Sequence, residues 1–188
     1  MVDAVERRLD YAATKSAAPF ILLARTLRST PFSSSSVALV YFLKVSETRP
    51  DVLCSDFVVP LMGEFAYRAE WQMCLDVCSR SFLLNSHAPT PVEVSTLLAS
   101  AAFLGSWQDV LFHAMRYVGE KSHVDPMACI AAAQLGLWEK CLVYLQEGGG
   151  QGTLHTAAVE HTALCCIREG VVRPDTMALL NRAIHWVL

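Results

Sequence analysis

Ala69-Glu70-Trp71-Gln72-Met73-Cys74-Leu75, Gly105-Ser106-Trp107-Gln108-Asp109-Val110-Leu111 and Gly136-Leu137-Trp138-Glu139-Lys140-Cys141-Leu142 repeat one pattern. A small residue stands two places before each Trp, an acid or amide one place after it, and Leu four places after it. The tryptophans are 36 and then 31 residues apart (107 − 71 and 138 − 107). Counting from Trp, positions +3, +4 and +7 are Cys74, Leu75 and Cys78, then Val110, Leu111 and Ala114, then Cys141, Leu142 and Leu145. Spacings of 3, 4 and 7 put these side chains on one face of a helix. Each copy is therefore expected to be an amphipathic helix opening at Trp.

The segments ahead of each Trp, residues 58–68, 94–104 and 126–135, also read as helices, with Ala66, Ala102 and Ala133 five places before Trp. Small residues there let two helices approach. A Gly two places before Trp (Gly105, Gly136) suits the tight turn between them, because Gly reaches positive φ without strain. The unit is thus helix, tight turn, helix, and it buries its apolar face only by stacking on neighbours. The residues expected to carry that packing are Trp71, Leu75, Trp107, Leu111, Trp138, Leu142, Gly105 and Gly136.

Breakers punctuate the chain where this scheme needs them. Pro50-Asp51, Pro89-Thr90-Pro91, Asp125-Pro126 and Pro174-Asp175 stand near helix starts. Gly148, Gly149, Gly150 and Gly152 mark a connector after the third pair. A helix is expected over 33–46 and a last pair, without the Trp motif, over 154–169 and 175–187. No alternating strand pattern or hairpin dipeptide occurs. The fold class read from this is all-α, a right-handed superhelical solenoid of stacked antiparallel helix pairs with about ten helices. It is drawn as one domain over 1–188: N-terminal helices over 1–48, three Trp-motif pairs over 50–147 and a C-terminal capping pair over 153–188.

Composition narrows the function. Hydrophobic residues make up 53% of the chain and charged residues 18%, below the roughly 25% charged share of ordinary soluble domains. Such a chain exposes apolar patches, which mark partner interfaces. Net charge is −3 and no Lys/Arg run exceeds Arg7-Arg8, so the basic excess of a phosphate-gripping protein is missing. Seven cysteines, an odd count, suit reduced thiols. No apolar run approaches the roughly 20 residues of a membrane span. Over residues 1–28, Arg7, Arg8, Lys15, Arg25 and Arg28 among Ala and Ser suit a mitochondrial presequence, while Asp3, Glu6 and Asp10 suit the first helices of the fold instead.

A unit of about thirty-five residues built this way resembles the pentatricopeptide repeat family. Leu98, Ala101, Gly105 and Trp107 form the best copy of its pattern, and Arg49-Pro50-Asp51 and Arg173-Pro174-Asp175 look like its repeat ends. The resemblance covers residues 50–145; the spacing of 31 and Pro126 depart from a regular array. Tetratricopeptide repeats share the geometry. Family members are mostly organellar and read single-stranded RNA at about one base per repeat. The matching base-reading places here hold Val59, Ser95 and Pro126, of which only Ser95 can hydrogen-bond a base. Ser95, Arg68, Arg116 and Lys121 are the RNA contacts the resemblance implies. Divergent members also serve as architectural subunits, which suits this composition better. The expected function is a non-catalytic scaffold or adaptor subunit of a larger, mitochondrial protein or ribonucleoprotein assembly, with a cytoplasmic location as the other choice. The alternative is an RNA-binding protein of organellar RNA processing or translation.

Chemistry-bearing residues have plainer readings. Cys74 and Cys78 align with Val110 and Ala114, which are core positions. His161 with Cys165 suggests a metal or thiolate pair, but no second ligand pair accompanies it, and Cys165-Cys166 reads as a buried helix edge. His113, His123, His155 and His185 are scattered, Ser33–Ser36 is a linker, and Gly148–Thr153 lacks the Gly-Lys-Ser/Thr of a phosphate loop. The tryptophans are expected to pack between pairs rather than to stack bases. No catalytic residue, metal, cofactor or small-molecule substrate is expected; the expected partners are protein subunits, with RNA as the alternative.

Overall fold

The computed structural model describes residues 14–29, 35–84, 89–122, 124–147 and 153–185. Among them it is all-helical: α1 (Ala18–Ser29), α2 (Ser35–Thr48), a 3-10 turn (Pro50–Val52), α3 (Ser55–Tyr67), α4 (Trp71–Leu84), α5 (Pro91–Phe103), α6 (Trp107–Arg116), α7 (Val124–Gln134), α8 (Trp138–Glu147), α9 (Thr153–Arg168) and α10 (Pro174–His185). These ten α-helices, without a strand among the described residues, are the expected all-α repeat of helix pairs. Residues 1–13 of the presequence reading, Ser33 and Ser34, His123, and the glycine connector over 148–152 lie outside the described residues. None of the helices among the described residues is long and apolar enough to cross a membrane.

The chain divides into two compact units, residues 1–100 and 101–188, with the boundary inside α5. In the first, α3 packs on α1, α2 and α4, and α2 also meets α4 and the 3-10 turn. Its core holds Phe20, Leu27, Tyr41, Phe42, Leu53, Phe57, Leu61, Met62, Phe65, Cys74 and Cys78. The Tyr41 hydroxyl donates to Phe20 O (2.9 Å), which satisfies a polar tip inside an apolar layer. Arg49 closes the corner. Its guanidinium grips Asp51 through two bonds (2.8 and 2.6 Å) and lies 5.4 Å from the Phe20 ring centroid.

α5 opens with a capping box. Thr90 N and Oγ1 donate to Glu93 Oε2 (2.8 and 2.7 Å), Glu93 N donates to Thr90 Oγ1 (3.4 Å), and Pro91 takes the first helical position. Ser55 Oγ donates to the same carboxylate (2.9 Å), so the buried Glu93 ties the start of α3 to the start of α5.

In the second unit α7 is central, packed against α6, α8 and α9. Its Ala128, Cys129, Ile130, Ala131, Ala132 and Ala133 are all buried, as in a helix enclosed on several sides. α9 in turn meets α8 and α10.

Candidate interaction surface

Four helix pairs turn through one device. Ala69 (φ +58°), Gly105 (+72°), Gly136 (+76°) and Gly170 (+69°) each hold the left-handed conformation just past a helix end. In each turn two bonds close the helix. Glu70 N donates to Phe65 O (2.9 Å) and Ala69 N to Ala66 O (3.0 Å); Ser106 N to Ala101 O (2.9 Å) and Gly105 N to Ala102 O (2.9 Å). Leu137 N to Ala132 O (2.8 Å) with Gly136 N to Ala133 O (3.2 Å), and Val171 N to Cys166 O (2.8 Å) with Gly170 N to Ile167 O (3.1 Å), complete the set. This double bond pattern is the Schellman cap, which satisfies carbonyls a helix end leaves open.

Trp71, Trp107 and Trp138 are each the first residue of the second helix, and each is half-buried. Three places on, Cys74, Val110 and Cys141 are fully buried; Leu111 is buried, while Leu75 and Leu142 are half-buried. Gly170 and Glu93 fall outside the Trp alignment. The signals that mark them are the Gly three places before Arg173-Pro174 and the capping-box spacing Thr90-x-x-Glu93.

Six of the seven thiols belong to the interior, and Cys54 is half-buried. Cys74 and Cys78 sit in the first core, where Cys74 Sγ donates to Met62 O (3.7 Å). In the second unit Cys129 Sγ lies 3.0 Å from Thr162 Oγ1, and Cys141 Sγ donates to Leu137 O (3.4 Å). Hydrogen bonding to Cys129 and then burial push the Cys141 thiol far above its ordinary range, and burial raises Cys165 and Cys166. Such thiols stay protonated near neutral pH, so they pack as small apolar groups. His161 is half-buried and its Nδ1 lies 3.3 Å from Gln134 Nε2 on α7. Among the described residues, no three His, Cys, Asp or Glu side chains are grouped to hold a metal ion.

The RNA-contact candidates are placed as follows. In the first unit Ser95 is half-buried on α5, and Arg68, at the end of α3, bonds the buried Glu64. Arg25, Arg49 and Arg80 of that unit likewise pair with Asp56, Asp51 and Glu47. In the second unit Lys121 is exposed beyond α6, and Arg116 lies over the Phe112 ring, 5.0 Å from its centroid.

That stacked pair belongs to an apolar stripe. Phe112 and Met115 stand at i and i+3 along α6 and are 51% and 62% exposed. Beside this stripe on α6, Val110, Leu111 and Ala114 are buried in the core, Leu111 standing four places before Met115. The apolar band of α6 is therefore wider than the part covered within its unit.

No family model and no curated protein matches the chain. The fold is similar to the crystal structure of YrrB, titled a TPR protein with an unusual peptide-binding site. The TM-score is 0.63 at 15% identity, over 98% of this chain and 90% of that one. The likeness establishes a TPR-like helical-repeat fold; the pentatricopeptide type rests on the motif residues alone.

Proposed function

We propose that this protein is a non-catalytic scaffold which holds a protein partner against its repeat helices. The stripe of Phe112 and Met115 on α6 carries the reading. Single exposed apolar residues are ordinary on any surface. Here two large side chains share one line of a regular helix, and a guanidinium packs on one of them. That is the composition of an interface centre, where aromatic, Met and Arg side chains are enriched. The fitting partner is an amphipathic helix or extended segment laid across α6, and the peptide-binding site named for YrrB is a precedent on a similar fold. The carboxylate-paired arginines of the first unit weigh against phosphate binding there.

We assign the assembly to the mitochondrion on the resemblance of the Trp motifs to organellar pentatricopeptide repeats. A tagged chain and its Phe112→Asp/Met115→Asp variant, purified from the native host, test the scaffold. The expected result is one defined set of bound proteins lost in the variant, with helicity unchanged. Tight binding of single-stranded RNA with a steep salt slope overturns the reading in favour of RNA recognition. A tagged fusion that fractionates away from mitochondria overturns the location alone.

A further inference from the structure

We propose that Cys129 and Cys141 are a peroxide-sensitive dithiol that closes to a disulfide and staples α7 to α8. The repeat marks the place. Cys141 Sγ donates to Cys129 O (3.6 Å), and Cys74 Sγ donates to Met62 O (3.7 Å) in the first unit. Both spans are 12 residues (141 − 129 and 74 − 62), and both thiols stand three places after a Trp. Here the second helix of a pair meets the backbone of the first. The facing position holds a thioether in the first unit, Met62, and a thiol in the second, Cys129.

In the α7–α8 pair the contact runs both ways, because Cys129 Sγ also lies 3.6 Å from Cys141 O. Each sulfur reaches the other residue's carbonyl oxygen. The two side chains therefore lie side by side between the helices, as a disulfide requires. Thr162 Oγ1, 3.0 Å from Cys129 Sγ, holds that sulfur from the α9 side. Hydrogen bonding from Cys141 lowers the Cys129 thiol below its ordinary range against the opposing effect of burial, while the same bond and burial raise Cys141. Cys129 is thus the sulfur that meets the oxidant and Cys141 the one that resolves it. Cys74 and Cys78 stand one turn apart on a single helix, so a bond between them would join no two elements.

The oxidant is hydrogen peroxide. The Cys129 sulfur attacks one peroxide oxygen, the O–O bond breaks, and the hydroxide released takes the thiol proton and leaves as water. The Cys141 sulfur then attacks the sulfenic sulfur, the S–O bond breaks, and the second hydroxide takes the Cys141 proton. Two thiols and one peroxide become one disulfide and two waters. Sulfur gives up two electrons and the peroxide oxygens take them. Both side chains are fully buried, so peroxide reaches them only when α8 opens locally, and closure is slow. The closed bond removes conformations from the unfolded chain and raises stability. The pair lies inside the second unit and is independent of what binds α6.

Thiol counting and mass spectrometry of the whole chain test the pair. The chain is treated with hydrogen peroxide and its remaining thiols are blocked in denaturant. It is then cut after Lys140 and Glu147, which puts Cys129, Cys141 and Cys165 on separate peptides. The expected result is a peptide linked through Cys129 and Cys141, two of the seven thiols lost, and a higher thermal midpoint, all reversed by dithiothreitol. Cys129→Ala and Cys141→Ala each abolish the link and the rise, and Cys78→Ala keeps both; circular dichroism checks the fold of each. Where an alanine variant unfolds, the linked peptide of the wild-type chain decides. Seven thiols that survive peroxide, a disulfide between any other pair instead, or oxidation of Cys129 that runs on to sulfinic acid overturns the proposal. A linked peptide with no rise in midpoint overturns the staple.

Discussion

The two units fill their interiors with opposite materials. In the first, Phe20, Tyr41, Phe42, Phe57 and Phe65 are fully buried, and the rings of Tyr41 and Phe57 meet at 5.7 Å and 60°. In the second, α7 presents Ala128, Cys129, Ala131, Ala132 and Ala133 toward an interior that also holds Cys141, Ala158, Cys165 and Cys166. Sulfur reaches backbone in both units: Cys74 Sγ donates to Met62 O (3.7 Å) in the first, and Cys129 Sγ lies 3.6 Å from Cys141 O and 3.7 Å from Ala158 O in the second. Both units turn with the same Schellman cap. The two interiors thus differ in the volume of the side chains that fill them. Interiors are close-packed in either case, so each unit is sensitive to a different direction of volume change.

The largest effect that breaks this comparison is a deletion in the aromatic core. Phe57→Ala is expected to destabilise by about 3–5 kcal/mol, read by urea denaturation. Hydrogen exchange should quicken first in α3. The reverse change belongs to the second unit. Ala132→Leu inserts a branched side chain where α7 is enclosed, and is expected to cost about 1–3 kcal/mol, with faster exchange in α7 and α9. If Ala132→Leu is neutral, the close approach of those helices is not what the small residues serve.

The hairpin framework is legible in the sequence because it is local. A small residue, a tryptophan and a spacing of 3, 4 and 7 are contained within one turn and one helix, and the second helices do begin at Trp71, Trp107 and Trp138. Alignment with Val110 and Ala114 puts Cys74 and Cys78 in the core, and they are there. What is not legible is what depends on neighbours. Ile130 and Leu164 stand equally far before the capping Gly136 and Gly170 and are equally apolar, yet one is covered and the other bare. No pattern within either helix records that difference. Glu93 escapes a local reading for the same reason, since its bond to Ser55 spans 38 residues. Gly170 turns its pair without a Trp, so a search keyed on Trp passes over it.

The turns sharpen the comparison at smaller scale, because one of the four lacks glycine. Gly105→Ala meets no atom within 4 Å, so its penalty is the left-handed backbone alone, about 1–2 kcal/mol. Gly136→Ala should cost more, since its Cβ also meets Glu169 Oε1 at 3.3 Å. Ala69 already carries that strain at φ +58°. Ala69→Gly removes it while loosening the unfolded chain by about 0.4–1 kcal/mol, so the net gain is about 0.5–1 kcal/mol. Thermal melts should place Gly136→Ala lowest, Gly105→Ala next, and Ala69→Gly alone above wild type. A loss of stability in Ala69→Gly would show that the methyl group packs usefully in the first unit's turn.

The smallest effect separates the units by acid. In the second unit burial holds His113 below its ordinary 6.5, with Arg116 adding to the depression and Asp109 opposing it. The unfolded chain then binds this proton more readily than the folded one. Stability is intact above about 6.5 and falls as pH drops toward the lower folded value. In the first unit the Arg49 hydrogen bond lowers Asp51 below its ordinary 3.8, so that contribution is present above about 3.8 and is lost only as pH falls through the folded value. Exchange in α6 should therefore quicken in mild acid, before exchange near the 3-10 turn responds. His113→Gln should flatten the first step and leave the second in place. If α6 and the 3-10 turn respond together over one pH range, His113 is not the group that sets the earlier step.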